Sequence, residues 1–68
     1  TEAELTNREL QVLDLIVQGM SNAQIGSALF ISEKTAGHHV SRILAKLGVS
    51  NRAEAAAYAS RMGSPAPE

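Results

Sequence analysis

The sequence has no cysteine and no tryptophan, and it has one phenylalanine and one tyrosine among 68 residues. The absence of cysteine excludes a disulfide framework, a thiolate zinc site and a cysteine nucleophile. No apolar run approaches the roughly 20 residues of a membrane-spanning helix, and no signal-peptide pattern opens the chain. We therefore expect a small, soluble, cytoplasmic protein that has too little chain to enclose a deep catalytic pocket.

Aliphatic residues must build the core, because apolar residues make up 44% of the chain and aromatic residues only 3%. Ala-rich aliphatic cores favour helices over sheets. The composition therefore predicts an all-α fold, and the capping signals along the chain divide it into a compact four-helix domain.

Capping signals set the limits of the four predicted helices. Two capping boxes, each a Ser or Thr followed three residues later by Glu or Gln, start at Thr6 and Ser21. Ser32 is an N-cap candidate for the third helix, and either Ser50 or Asn51 for the fourth. Glycines at positions 19 and 48 are expected to end the first and third helices. The predicted helices lie near 7–18, 22–29, 33–47 and 51–62, in a domain of residues 1–63 followed by a flexible tail, 64–68.

The second and third helices have helix-turn-helix spacing. A two-turn helix with a small residue at Gly26 is followed by a tight apolar connection, Phe30 and Ile31, and by a longer helix with apolar residues at positions 36 and 40. A small residue is needed where the two helices cross closely. Such a unit places its second helix in the major groove of DNA and its first helix across the backbone.

The distribution of charge agrees with this interpretation, although the net charge of −1 does not. Residues 1–33 carry a net charge of −4, whereas residues 34–53 carry +4 with no acidic residue and two histidines. On a helical wheel, the outward side of helix 33–47 carries Lys34, His38, Ser41 and Arg42, with Lys46 on its shoulder. Two interpretations remain open, a DNA-binding face and a solvated face on a helical protein-interaction module that does not bind DNA.

Five segments together resemble one known family, the LuxR-type (NarL/FixJ-like) helix-turn-helix DNA-binding domain of bacterial transcription regulators. The segments are Leu5-Thr6-Asn7-Arg8-Glu9, Gly19-Met20-Ser21-Asn22-Ala23-Gln24-Ile25, Ile31-Ser32-Glu33-Lys34-Thr35, Leu44-Ala45-Lys46-Leu47-Gly48-Val49 and Arg52-Ala53-Glu54-Ala55. The resemblance covers about residues 5–62. It implies sequence-specific binding of double-stranded DNA as the output domain of a regulator, with helix 33–47 as the recognition helix.

The resemblance also implies roles for individual residues. Lys34 and Thr35 match DNA contacts at the start of the recognition helix, and Gly37, His38 and Ser41 match positions that face base edges. Many members of the family carry a basic residue where this chain has Gly37. Residues that match phosphate contacts are Ser21 and Asn22 at the start of the preceding helix. The cations Arg42 and Lys46 complete the predicted DNA-binding set.

The last helix of the family commonly forms a dimer contact, so the resemblance implies a homodimer. The residues expected at this contact are Ala53, Ala56, Ala57 and Tyr58, with Met62 beside them. A helix that only stabilises the fold is the alternative. The family also implies an N-terminal sensory or receiver domain that this chain lacks.

No residue pattern predicts an enzyme, a metal site or a cofactor. Glu9 is expected either in the first capping box or in a partly buried ion pair with Lys46 or Arg52, and both roles are structural. His38 and His39 point about 100° apart on a helix and cannot converge on one metal ion. No matched pair of carboxylates or activated hydroxyl is evident.

Overall fold

The computed structural model describes residues 5–61, which form four α-helices without a strand: α1 (Asn7–Val17), α2 (Asn22–Leu29), α3 (Glu33–Leu47) and α4 (Arg52–Arg61). The predicted all-α fold is confirmed, and α2 and α3 have the predicted limits. Gln18 is the C-cap of α1, so α1 ends one residue before the predicted limit. The predicted end of α4 at 62, the domain limit at 63 and the tail 64–68 lie outside the described residues.

Both predicted capping boxes are present. The Thr6 hydroxyl accepts a hydrogen bond from the Glu9 amide at 3.1 Å, and the Glu9 carboxylate accepts one from the Thr6 amide at 3.0 Å. Ser21 and Gln24 make the same exchange at 3.2 and 2.8 Å. These bonds satisfy amides that the first turn of a helix leaves without a partner.

The other two helices also begin at polar caps. Ser32 accepts from the amide of Thr35 at 3.0 Å, as the sequence predicts. For α4, the choice between Ser50 and Asn51 is settled by the side-chain oxygen Oδ1 of Asn51, which accepts from the Glu54 amide at 2.9 Å. The α4 helix therefore begins at Arg52.

Two glycines end α1 and α3 in the left-handed conformation, as predicted. Gly19 has φ of +88° and Gly48 has φ of +70°. At the end of α1 the amide of Gly19 donates to Ile16 at 2.9 Å, and the amide of Met20 donates to Leu15 at 3.1 Å. This is the paired arrangement of a Schellman motif, and glycine adopts it without a steric penalty.

All four helices contribute to one aliphatic core. Its buried residues are Val12, Leu13 and Ile16 of α1, Ile25 of α2, Ala36, Val40 and Ile43 of α3, and Ala55 and Ala59 of α4. The buried positions of α3 lie on one side of the helix, so the opposite side of α3 faces outward. Within residues 5–61, no helix has the length and apolar character needed to cross a membrane.

The turn between α2 and α3 brings the two helices together at Gly26. This residue is buried, and a Cβ atom here would lie 2.7 Å from the carbonyl oxygen of Ile31. The need for a small residue is confirmed, although the close neighbour is the backbone of the turn and not a crossing helix. A larger side chain would push α3 away from α2.

The predicted apolar connection at Phe30 and Ile31 is only half correct. Ile31 packs against the core, but Phe30 is 94% exposed and adopts a left-handed conformation with φ of 61°. Phe30 is the C-cap of α2, and its amide donates to backbone carbonyls of that helix. The left-handed turn directs the Phe30 side chain into solvent, so its apolar surface adds nothing to the core.

Candidate nucleic-acid interface

The outward face of α3 has the composition that the helical wheel predicts. Ala36, Val40 and Ile43 are buried on the opposite side. Six of the predicted DNA contacts on α3 are exposed: Lys34, Thr35, His38, Ser41, Arg42 and Lys46. The predicted cations, histidine and hydroxyls are therefore brought together on one solvent-facing surface, which we call the α3 face.

A buried carboxylate lies beneath the carboxyl-terminal half of the α3 face. Glu9 is only 3% exposed, and its Oε1 atom accepts a hydrogen bond from the Lys46 ammonium at 2.6 Å. The Arg42 Nε atom lies 3.8 Å from Oε2 of the same carboxylate. Of the two ion-pair partners considered for Glu9, Lys46 is correct and Arg52 is wrong. The capping role of Glu9 is present as well, so the two predicted roles coexist.

The pKa of Glu9 is lowered from its ordinary value of 4.5. The hydrogen bond from Lys46 is the main cause, and the bond from the Thr6 amide adds to it, while burial acts in the opposite direction. Glu9 is therefore ionised at neutral pH and offsets positive charge on this part of α3. Lys46 thus makes an ion pair within the fold, and its predicted contact with DNA stays a prediction.

Arg52 makes a contact that sequence reasoning missed. Its Nη2 atom donates to the carbonyl oxygen of Met20 at 2.8 Å, and its Nη1 atom donates to Oδ1 of Asn22 at 2.9 Å. The position of Arg52 in the sequence carried a signal for this contact. Arg52 is a cation in the first turn of α4, where it opposes the helix dipole, and this indicates that its partners lie elsewhere in the fold.

The amino end of α2 meets α3 at Gly37. A Cβ atom at Gly37 would lie 3.3 Å from Nδ2 of Asn22, so the two residues are neighbours across the helix-turn-helix unit. Both are half-buried, whereas Ser21 is exposed and uses its hydroxyl to cap α2. The structure therefore joins the predicted phosphate contacts of α2 to the recognition helix along one edge.

The hydroxyl of Thr35 is used within the amino end of α3. Ser32 donates from its hydroxyl to that of Thr35 at 2.9 Å, while its oxygen caps the Thr35 amide. Lys34, which directly precedes Thr35, is exposed and has no ion pair within residues 5–61. Lys34 is thus the α3 cation that the fold leaves most available.

The predicted dimer residues of α4 differ in exposure. Ala53 and Ala57 are exposed, whereas Ala56 and Tyr58 are half-buried. Ala56 also packs against the core. An outward surface at Ala53 and Ala57 therefore remains available for a second molecule, and Met62 lies outside the described residues.

One shallow groove runs beside α1 and α4. It has a volume of about 160 Å³ and is lined by Leu10, Leu13, Asp14, Val17 and Ala59. Its single carboxylate has no second acid or base beside it in the lining. Among residues 5–61, no group of three or more potential metal ligands of the His, Cys, Asp and Glu types is found.

Comparison with known families and proteins identifies this arrangement. A family model described as bacterial regulatory proteins, luxR family, matches residues 3–59. The transcriptional regulatory protein LiaR of Bacillus subtilis (strain 168) is 53% identical over 57 residues, which are 84% of this chain and 27% of LiaR. The spore germination protein GerE of the same organism is 48% identical over 59 residues, which are 87% of this chain and 80% of GerE.

Two solved structures have the same fold. The response regulator ChrA of a heme-sensing two-component system superposes with a TM-score of 0.83 at 40% identity, over 91% of this chain and 31% of that one. The transcription factor GerE superposes with a TM-score of 0.77 at 42% identity, over 87% of this chain and 88% of that one. The chain thus spans about a quarter of LiaR and most of GerE.

These matches confirm the predicted resemblance, the helix-turn-helix fold and the assignment to DNA binding in transcription regulation. The chain belongs to the luxR family of bacterial regulatory proteins.

Proposed function

We propose that this domain binds double-stranded DNA with α3 in the major groove and the amino end of α2 on the flanking phosphates. The exposed α3 face is the observation that carries the proposal. The 15 residues of α3 span about 22 Å at 1.5 Å per residue, and in helix-turn-helix proteins the amino-terminal residues of the recognition helix contact the base edges. We therefore expect only part of α3 to lie against base edges.

The amino-terminal half of α3 is the part best suited to the bases. Lys34 has no ion pair within residues 5–61, and His38 follows it one turn later on the same face. Lys34 is able to donate to a phosphate or to the O6 and N7 acceptors of guanine, and His38 is able to donate to a base acceptor. Glu33, also exposed at this end, offsets part of the Lys34 charge, so we expect moderate affinity from a single domain.

A salt titration of binding to duplex DNA tests this proposal. The logarithm of the affinity should fall linearly with the logarithm of salt concentration, because bound cations displace counterions from the phosphates. Arg61→Ala is the control, since Arg61 is an exposed cation at the end of α4, and it should leave the affinity unchanged. Absence of binding at low salt would favour the alternative function, a helical protein-interaction module.

We also propose that two copies pair through α4 on DNA. The small side chains of Ala53 and Ala57 are exposed and would permit close approach of a second helix. Ala57→Glu would place a charge in this contact and should weaken binding to a duplex with two half-sites, but not to one with a single half-site. Gln11→Glu adds the same charge to an exposed position of α1 and is the matched control.

If Ala57→Glu binds the two-half-site duplex as tightly as Gln11→Glu and the parent do, α4 is not the dimer surface. Ala56→Glu is a poorer test, because Ala56 packs against the core and its replacement would also disturb folding.

The wider protein is the last element of the proposal. LiaR is almost four times as long as the matched segment, and ChrA is described as a response regulator. We infer that the domain works beside an N-terminal receiver or other sensory domain, which would control its access to DNA. Such a regulator would act in the cytoplasm, where bacterial DNA lies.

A further inference from the structure

We propose that Arg52 is a positioning residue that fixes the side-chain amide of Asn22 so that its NH2 group donates to a DNA phosphate. This inference rests on the proposed function and adds to it a residue of α4 outside the predicted DNA-binding set. Two hydrogen bonds from Arg52 and the position of Gly37 beside the Asn22 amide carry it.

The guanidinium of Arg52 determines which way the Asn22 amide points. An arginine side chain has only donors, so the Asn22 atom 2.9 Å from Nη1 is the carbonyl oxygen Oδ1. The second bond from Arg52, to the carbonyl oxygen of Met20 at 2.8 Å, prevents the guanidinium from turning away. The amide of Asn22 is therefore held in one of its two orientations.

The NH2 group of Asn22 is directed toward α3 and has no acceptor there. Nδ2 lies 3.3 Å from the point that a Cβ of Gly37 would occupy, and the glycine has no side chain to cover it. Asn22 makes no hydrogen bond through this group within residues 5–61, and no buried side-chain nitrogen in that range lacks a partner. The two N–H donors are consequently open to solvent along the edge between α2 and α3.

Phosphate and sugar oxygens accept half to two-thirds of the hydrogen bonds between proteins and DNA. An NH2 group suits such an acceptor, whereas an amide oxygen would repel it. Without Arg52 the amide is able to rotate and present Oδ1 to the phosphate, which loses the bond. Arg52 thus acts on DNA through Asn22, and Gly37 keeps the path open.

Asn22→Asp is the first test. An aspartate keeps the acceptor for Arg52 and adds an ion pair with it, so the melting temperature should be unchanged or higher. It replaces the two donors with a carboxylate oxygen, so the affinity for duplex DNA should fall by roughly tenfold or more. If Asn22→Asp binds DNA as tightly as the parent, the side chain of Asn22 does not donate to DNA and the inference is wrong.

A double-mutant cycle tests the role of Arg52. Arg52→Gln should weaken DNA binding by roughly threefold to tenfold in the parent, and by much less in an Asn22→Ala background. The salt dependence supplies a second measure. If Arg52 acts through the neutral amide of Asn22, Arg52→Gln leaves the slope of log affinity against log salt unchanged. If Arg52 itself contacted a phosphate, Arg52→Gln would reduce the slope by about 0.9.

Melting temperatures of the four proteins show whether each variant is folded at the assay temperature. Arg52→Lys, which keeps the charge but not the two-pronged geometry, replaces Arg52→Gln in the cycle if the latter unfolds. Additive effects, or a reduced salt slope in the Gln variant, would show that Arg52 acts independently of Asn22 and overturn this inference alone. Failure of the parent domain to bind duplex DNA would overturn the proposed function and, with it, the inference.

Discussion

The amino-terminal half of α3 and its carboxyl-terminal half both carry cations on the α3 face, but only the second half lies over a buried carboxylate. Lys46 and Arg42 approach Glu9 at 2.6 and 3.8 Å, while Lys34 has no ion pair within residues 5–61. The sequence shows one uniformly basic segment. The fold pairs the cations of one half with Glu9 and leaves Lys34, in the other half, without an ion pair in the described residues.

Replacement of Glu9 should have the largest effect, and on stability. Glu9→Ala removes the cap on the Thr6 amide and the partner of Lys46, and we expect the free energy of unfolding to fall by about 3 kcal/mol. Glu9→Gln keeps an acceptor for the cap and should cost about half as much. Thermal unfolding measures both variants, and equal melting temperatures for Glu9→Gln and the parent would show that the charge of Glu9 contributes nothing.

The two lysines of α3 provide a matched comparison. Lys46→Ala leaves the Glu9 carboxylate buried without its main partner and should cost about 2 kcal/mol of stability, with little change in the salt slope for DNA. Lys34→Ala should do the reverse, with a stability change within about 0.5 kcal/mol and a loss of DNA affinity of about 1 kcal/mol. Unfolding curves and salt titrations of both variants provide the measurement. The reverse pattern would mean that the assignment of the two halves is wrong.

Acidic pH should lower the stability of the domain through Glu9, by less than the substitutions of Glu9 and Lys46 do. The folded-state pKa of Glu9 is lowered by Lys46, so the unfolded state binds a proton more readily and stability rises with pH over this interval. The contribution is complete above the ordinary value of 4.5 and is lost as pH falls through the lowered folded-state pKa. The melting temperature should therefore drop more steeply below pH 4.5 in the parent than in Glu9→Gln. Parallel curves for the two proteins would exclude Glu9 as the source.

The smallest effect is expected at Gly37. Gly37→Ala improves helix propensity and should raise stability by several tenths of a kcal/mol, up to about 1 kcal/mol. The new Cβ would lie 3.3 Å from Nδ2 of Asn22, so the amide must shift slightly. We expect a more stable domain with weaker DNA binding. Thermal unfolding and a binding titration are needed together, since a gain in both would contradict the role of the Asn22 amide.

Features that depend on short sequence spacing were predictable. The boxes at Thr6 and Ser21 and the glycines at the ends of α1 and α3 involve hydrogen bonds between residues three to five positions apart. Their geometry follows from the backbone of one helix turn. The limits of α2 and α3 were predicted for the same reason.

Features that depend on how helices are oriented were predicted less well. Glu9 was assigned to a capping box or a partly buried ion pair, but the sequence did not decide between Lys46 and Arg52 as its partner, which lie on different helices. The bond from Arg52 to Asn22 joins residues 30 positions apart, and it depends on the orientation of α4 relative to α2. The exposure of Phe30 was missed because an apolar residue is usually buried, whereas its left-handed backbone directs it outward.

The exposed position of Phe30 is a suitable place to attach a spectroscopic label. Phe30 lies in the turn beside the α3 face and is 94% exposed, and the chain has no cysteine. Phe30→Cys would therefore create a unique thiol for a fluorescent or spin label, without disturbing the core. If DNA binds to the α3 face as proposed, a label at this position would respond to its arrival, and it would respond differently if the domain docked onto a protein through α1 or α4.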